Sequence, residues 1–557
     1  MVEREWTPDQ KNAIEARGGT LLVSAAAGSG KTAVLVERVV QRLLDPINGC
    51  DADRLLVVTF TKAAAAEMRE RISAALSARL AARPDDARLL RQQMLLPCAA
   101  ICTIDSFCND LVRENFHRLD LAPDYKILDA GELTLLRSEA MDIAMEEFYQ
   151  KGDPAFTELL ELVRKGRDDA ELTETVSRLY DYTQAYPFPE EWIQHARALC
   201  RADLPEQENP WMAEIRAYLA QALAFAQHTA QSARALLETE PALCEKYAPA
   251  FDSDLNALAR VQAALTGGWD ALCDALNAIS FVRMPNAPRE YANSPIKAAA
   301  RESRDRVKDT VKKMQESLCA NAAENAEDMA YLAPLLNQLF DLTLRFSEEF
   351  TRLKRGRHAA DFSDIEHMAL SLLVERKGGT LCRSPLAQEL SARYEEILVD
   401  EYQDTNEAQD LLFRMLSREE SNLFLVGDVK QSIYRFRQAM PEIFLHRRDR
   451  LPPYVRGNYP ARITLGRNFR SRKGVTGMVN FLFRQLMSRQ LGEMEYTQEE
   501  ALVPAAPYPE RQDPDCEIHL LDAGDKGDDS AAVYEARYIA AHINRLLREG
   551  LTVQDGG

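Results

Sequence analysis

The run Ala25-Ala26-Ala27-Gly28-Ser29-Gly30-Lys31-Thr32 has the composition of a phosphate cradle. Gly28 and Gly30 allow backbone amides to close around phosphate oxygens, and the helical run AVLVERVVQRLL that follows adds the N-terminal end of a helix dipole. Lys31 is placed to reach the β- and γ-phosphates of a nucleotide and Thr32 to hold Mg²⁺. The general pattern opens on Gly, and here that position is Ala25. A second segment, Ile397–Thr405 (ILVDEYQDT), ends an apolar run in two adjacent acids. Asp400 would bind Mg²⁺, through water, and Glu401 would act as general base on an attacking water. Lys31 and Asp400 are 369 residues apart. That separation fits a sheet interrupted by a large insertion.

The flanking sequence supplies the elements such a site needs. Strand-like runs at 20–23, 54–60 and 99–105 are apolar without alternation, and each precedes a helical pattern, as in residues 63–76. This predicts an α/β fold with a parallel sheet covered on both faces. Residues 131–375 are rich in Ala, Leu, Glu and Arg with helical periodicity and few strand-like runs, and are read as a mostly helical insertion. PFPEEW at 187–192 and residues 283–295 read as joints within it. Strands return at 395–401 and 422–428, so the sheet resumes over 376–450. The proline-containing LPPYVRGNYP opens a further unit, 451–557, in which 497–515 reads as a surface loop and 531–550 as a helix with a glycine stop.

Six segments, in order, resemble the motifs of superfamily 1 helicases of the UvrD/RecB type: Trp6–Gln10 (WTPDQ), Thr59–Ile72, Thr103–Cys108 (TIDSFC), DEYQDT, Val426–Ala439 (VGDVKQSIYRFRQA) and Leu465–Ser471 (LGRNFRS). The resemblance is closer to the helicase–nuclease subunits of bacterial AddAB complexes. It rests on VGDVKQSIYRFRQAMPEIF, on Ala360–Leu370 (ADFSDIEHMAL), on the long insertion, and on Phe436 and Gln438 where ordinary UvrD-type chains carry Trp and Gly. It implies a RecA-like P-loop lobe (1–130 and 376–450), a helical insertion and the start of a second RecA-like lobe at 451–557. It further implies an ATP-driven, Mg²⁺-dependent 3′→5′ DNA motor acting in double-strand-break repair in the cytoplasm. Its partners would be single-stranded DNA, duplex ends and an AddB-like subunit.

By the same resemblance Gln10 would read the adenine, Gln431 would sense the γ-phosphate and Arg470 would act as an arginine finger. Asp428, Tyr434 and Arg435 would couple the nucleotide cleft to DNA, Phe60 and Phe436 would stack on bases, and Thr61, Thr103 and Ser106 would touch phosphates. The Asp361–Asp364 segment (DFSD) is read as structural or DNA-side. The family's motifs V and VI are not found in the 87 residues after Arg470, nor is a nuclease domain. The chain is therefore read as the N-terminal part of a longer protein, expected to bind nucleotide weakly and to unwind little or no DNA alone. The alternatives are a RecB-like protein, a stand-alone UvrD-like translocase, or a non-enzymatic nucleotide- and DNA-binding module.

Composition sets bounds on these readings. Hydrophobic residues make up 46% and charged residues 28% of the 557, which excludes collagen-like and disordered classes. The N-terminus is charged and lacks the apolar core of a signal peptide. The ten cysteines are dispersed, and Cys98, Cys102 and Cys108 fit no common zinc spacing; the eight histidines form no metal pattern either. The net charge of −19 argues against a polyanionic partner until it is divided by segment. Residues 131–420 carry 32 basic and 51 acidic side chains, whereas 421–480 carry 12 and 3. The block holding two of the six motifs is thus strongly basic.

Overall fold

The computed structural model describes residues 5–552 apart from 120, 123, 167, 288, 292, 319, 510–513 and 528. Parts of the expected joint at 283–295 and of the expected loop at 497–515 therefore lie outside the described residues.

Six parallel strands form the central sheet: β1 (Leu21–Ala25), β2 (Leu55–Thr59), β3 (Ala100–Thr103), β4 (Glu396–Val399), β5 (Leu423–Gly427) and β6 (Ala461–Leu465), in the order β6-β1-β5-β4-β2-β3. Residues of β1, β2, β4 and β5 are buried throughout, which is why these strands read as apolar runs without alternation. The registers set β1 between β5 (Val23 beside Val426) and β6 (Val23 beside Ile463). Neighbouring parallel strands far apart in sequence put their C-terminal ends along one edge, where ligands bind in open α/β sheets. The helices flanking the strands are α1 (Pro8–Glu15, preceding β1), α2 (Lys31–Leu44, after β1), α3 (Lys62–Ala82, after β2), α4 (Ile104–Glu114, after β3), α5 (Phe362–Leu373), α6 (Glu407–Leu416), α7 (Pro441–Arg450) and α8 (Lys473–Leu486). The core between sheet and helices is built from Leu35, Val39, Leu43, Ile72, Leu398 and Phe424 among others.

The described residues divide into two compact units. The first comprises Met1–Ala130, Gln184–Pro187 and Lys354–Gly557; the second comprises Gly131–Thr183 and Phe188–Leu353. Two boundaries differ from the sequence reading. Residues 354–375 go with the sheet, because α5 packs on α4 and α6. Strand β6, assigned by sequence to a separate unit beginning at 451, is the edge strand beside β1. The prolines of LPPYVRGNYP mark a loop rather than a domain joint: Tyr454 and Tyr459 pack against the core of the sheet unit, and the Tyr454 amide donates to the Arg462 carbonyl at 2.8 Å. The expected surface loop also begins inside, since Glu500, Ala501 and Leu502 are buried.

The second unit is helical. Its core lies among the helices Pro210–Leu237, Pro241–Ala264 and Pro295–Ser317 and includes Leu223, Phe251, Trp269 and Val307. Arg304 and Asp254, both buried, pair at 2.6 Å inside it. Such a pair does more to fix how the helices register than to add net stability.

Candidate nucleotide site and nucleic-acid face

The loop from Ala26 to Gly30 turns between β1 and α2. Gly28 (φ 70°) and Gly30 (φ 83°) take left-handed backbone conformations, and Gly30 caps α2 without a side chain. The first amides of α2 therefore have no side-chain capping partner, which is the arrangement that suits an anion. Ser29 is buried and its Oγ has no hydrogen-bond partner among the described residues. Lys31 and Thr32 occupy the first turn of α2, and Ala25, Ala26 and Ala27 lead into the loop. Gln10 is buried beneath it: Nε2 donates to the Ser29 carbonyl at 2.9 Å, and Oε1 accepts from the Thr7 amide at 3.0 Å in a capping box at the start of α1.

Asp400 and Glu401 follow β4. The Asp400 amide donates to the Val58 carbonyl at 2.9 Å, tying the turn to β2. Glu401 sits at φ 53°, and its Oε2 meets Lys31 Nζ at 2.9 Å, closing the 370-residue gap in sequence. Burial, then the neighbouring Glu401 charge, pushes the Asp400 carboxyl up to about 6. Asp404 is likewise pushed up to about 6, by burial first and Glu401 second. The donor set of Thr32, Asp400 and Glu401 beside a lysine and open amides fits a nucleotide carrying Mg²⁺.

Two further segments close on this loop. Asn468 Nδ2 donates to the Ala27 carbonyl at 2.8 Å, and the Phe469 amide donates to the Gly28 carbonyl at 2.9 Å. A Cβ built on Gly28 would lie 2.9 Å from Arg470 Cβ, so the arginine backbone rests directly against the loop. Asn468 Oδ1 accepts from the amides of Arg470 and Ser471 at 2.9 and 2.7 Å. The sequence reading did not single out Asn468; its position two residues before Arg470, in a run recognised as a motif, was the available signal. After β5, Asp428 accepts from Gln431 Nε2 at 2.7 Å and pairs with Lys430 at 2.8 Å, and Lys430 pairs in turn with Glu500 at 2.9 Å.

The predicted nucleic-acid residues fall into two groups. The Phe60 and Tyr434 rings lie 4.5 Å apart, and Tyr434 and Phe436 lie 5.9 Å apart. Phe436 is 74% exposed, which excludes core packing for that ring. The Arg437 guanidinium lies 5.5 and 5.7 Å from the Tyr434 and Phe436 centroids, and Arg435 pairs with Glu442 and Glu493. Thr61, Thr103 and Ser106 have local work: Thr61 caps α3 by accepting from Ala64, and buried Thr103 caps α4 by accepting from the Ser106 amide while the two hydroxyls meet at 2.9 Å.

The DFSD segment is an N-terminal cap. Asp361 and Asp364 form a capping box on α5, and buried Lys354 Nζ lies 2.9 and 2.7 Å from them. Elsewhere Glu517, His519 and His542 converge, although the histidines suggest no metal pattern in sequence. The His519 nitrogens face Tyr538 Oη and Glu517, and Arg545 approaches His542 Nδ1 at 2.8 Å, so a guanidinium already occupies the place of a cation.

Residues 6–452 match the UvrD/REP helicase N-terminal domain. The chain belongs to the UvrD/REP helicase family. It is 37% identical to the ATP-dependent helicase/nuclease AddA of Alkaliphilus oremlandii (strain OhILAs) over 98% of this chain and 45% of that protein. It is 40% identical to the AddA of Moorella thermoacetica over 91% of this chain and 37% of the relative, and 36% identical to that of Bacillus pumilus over 99% and 46%. The chain spans less than half the length of these curated relatives. Within the UvrD/REP frame the six-stranded sheet carries all six resembling motifs on the ends of its strands or on the helices flanking them. No helix among the described residues is long and apolar enough to cross a membrane.

Proposed function

We propose that the chain is the ATP-consuming motor part of a DNA helicase of the AddAB helicase–nuclease kind, working in double-strand-break repair in the cytoplasm with an AddB-like partner. The observation that carries the proposal is the convergence of Lys31, Glu401 and Arg470 on one glycine loop, from three segments remote in sequence. Amides 28–32 and Lys31 hold the phosphates of ATP, and Thr32 and Asp400 hold Mg²⁺, which would neutralise charge on the transferring phosphoryl group. Glu401 accepts a proton from the attacking water, Arg470 stabilises the charge that builds, and Gln431 responds to the γ-phosphate. Gln10 reads the adenine while bracing the loop. Phe60, Tyr434 and Phe436 stack on successive bases of single-stranded DNA, Arg435 adds charge beside them, and Thr61, Thr103 and Ser106 lie along the phosphate track. The direction, 3′→5′, and action at duplex ends follow from the family resemblance.

The test is ATP turnover with and without single-stranded DNA for the wild type, Lys31→Ala and Glu401→Gln. Turnover by the wild type should rise with DNA, and both variants should lose at least about 100-fold, the scale of a lost base or charge-stabilising group. Equal turnover in all three would sink the assignment.

A further inference from the structure

Gln403 is buried, at 1% exposure, in the turn after Glu401. Every polar atom of its side chain is engaged. Nε2 donates to Glu401 Oε2 at 2.9 Å and to Asp404 Oδ2 at 3.0 Å, and Oε1 accepts from the Asp428 backbone amide at 2.9 Å. Gly427, just before Asp428, approaches so closely that a Cβ there would lie 2.5 Å from Gln403 Oε1. One amide therefore holds the carboxylate proposed to activate water and, through its other end, the loop that carries Asp428 and Gln431.

We propose that Gln403 is a positioning residue that fixes Glu401 during turnover and mechanically couples it to the 427–431 loop. The inference rests on the function proposed above and deepens it. The same Glu401 oxygen, Oε2, meets both Lys31 and Gln403. When a nucleotide takes Lys31 for its phosphates, Glu401 loses its cationic partner, and the Gln403 N–H is what keeps the carboxylate from swinging away. A carboxamide suits this task because it donates without adding charge. A lysine there would neutralise the base, and a glutamate would repel it. Because Oε1 and Nε2 belong to one rigid planar group, a shift of the Asp428 loop tilts the donor under Glu401. The loop reaches further through Lys430, which bridges Asp428 and Glu500, and Arg448, which pairs with Glu500 at 3.0 Å.

Gln403→Met keeps the volume and removes both polar ends. In the full 557-residue chain the variant should bind a fluorescent ATP analogue within about threefold of the wild type, because it touches no phosphate-binding group. Its kcat for ATP should fall about 10- to 100-fold with KM nearly unchanged, the range associated with misplacing a catalytic group. A role in packing alone would not move kcat apart from KM. The second readout is independent of turnover: hydrogen exchange over residues 427–431, with and without a non-hydrolysable ATP analogue. The wild type should gain protection on binding the analogue, and Gln403→Met should lose that gain. Unchanged kcat together with an unchanged protection gain would overturn the proposal, as would a rise in KM at constant kcat. If instead the wild type binds no nucleotide while Asp428 exchange still depends on Gln403, the mechanical link stands and the ATPase reading falls.

Discussion

Asp400 gives the site its pH response, and the sign can be worked out. Its carboxyl is raised from 3.8 to about 6. Between about pH 4 and 6 the folded chain holds a proton that the unfolded chain has released. The stability contributed by that proton is present below the ordinary carboxylate pKa and is lost as pH rises through the folded value. At roughly 1.4 kcal/mol per unit this is a penalty of about 1–3 kcal/mol on the ionised native state at neutral pH. Asp400→Asn should therefore raise the unfolding free energy of the sheet unit at pH 8 by an amount within that range, measured by denaturant titration, while abolishing Mg²⁺-dependent turnover. The same group predicts an acid limb in the wild type: turnover should fall as pH drops through about 6. The midpoint should move lower as Mg²⁺ rises, since a cation binds only the carboxylate. An acid limb indifferent to Mg²⁺ would remove Asp400 from the metal site.

At the scale of elements, what matters is how strand ends deliver side chains to the glycine loop. The segment after β6 does so through Asn468, which donates to Ala27 and accepts from two amides beyond it. Asn468→Ala leaves those groups without their partners and should cost about 1–3 kcal/mol. It should also lower kcat with Arg470 intact, because the arginine backbone is no longer held against Gly28; a paired measurement of thermal stability and turnover would check both. The order of the motifs was legible in the sequence because each follows an apolar run long enough to be a buried parallel strand. What was not legible is where the sheet stops. Strand β6 alternates buried and half-buried residues as an edge strand does, and prolines just before it imitate a domain joint. Nor could spacing reveal Gln403, Asn468 or the buried Glu500, whose partners are set by long-range pairing rather than by local pattern. The reading of Thr103 as a phosphate contact likewise took no account of helix capping, which uses the same hydroxyl from the same position.

For the whole molecule the question is how a chain of net charge −19 meets a polyanion. The second unit, residues 131–183 and 188–353, carries 23 basic and 37 acidic side chains, so most of the excess resides there. The segment 421–480, with 12 basic and 3 acidic side chains, belongs to the sheet unit and includes Arg435 and Arg437 beside the exposed Phe436 ring. If DNA lies on that face, affinity follows the local count of phosphates neutralised, and log K falls with log salt at a slope of about −0.7 per contact for a single strand. The two arginines should then behave differently. Arg437 stands over the Tyr434 and Phe436 rings, whereas the charge of Arg435 is already met by Glu442 and Glu493. Arg437→Ala should reduce the magnitude of the salt slope by about 0.7, and Arg435→Ala by clearly less, in fluorescence anisotropy with an oligothymidylate at several salt concentrations. Phe436→Ala should weaken binding by about 1–3 kcal/mol per stacked base with the slope unchanged, because stacking releases no counterions. A slope that responds to Phe436 but not to Arg437 would place the DNA elsewhere on the molecule, and with it the reading of the 434–437 cluster as the nucleic-acid face would fall.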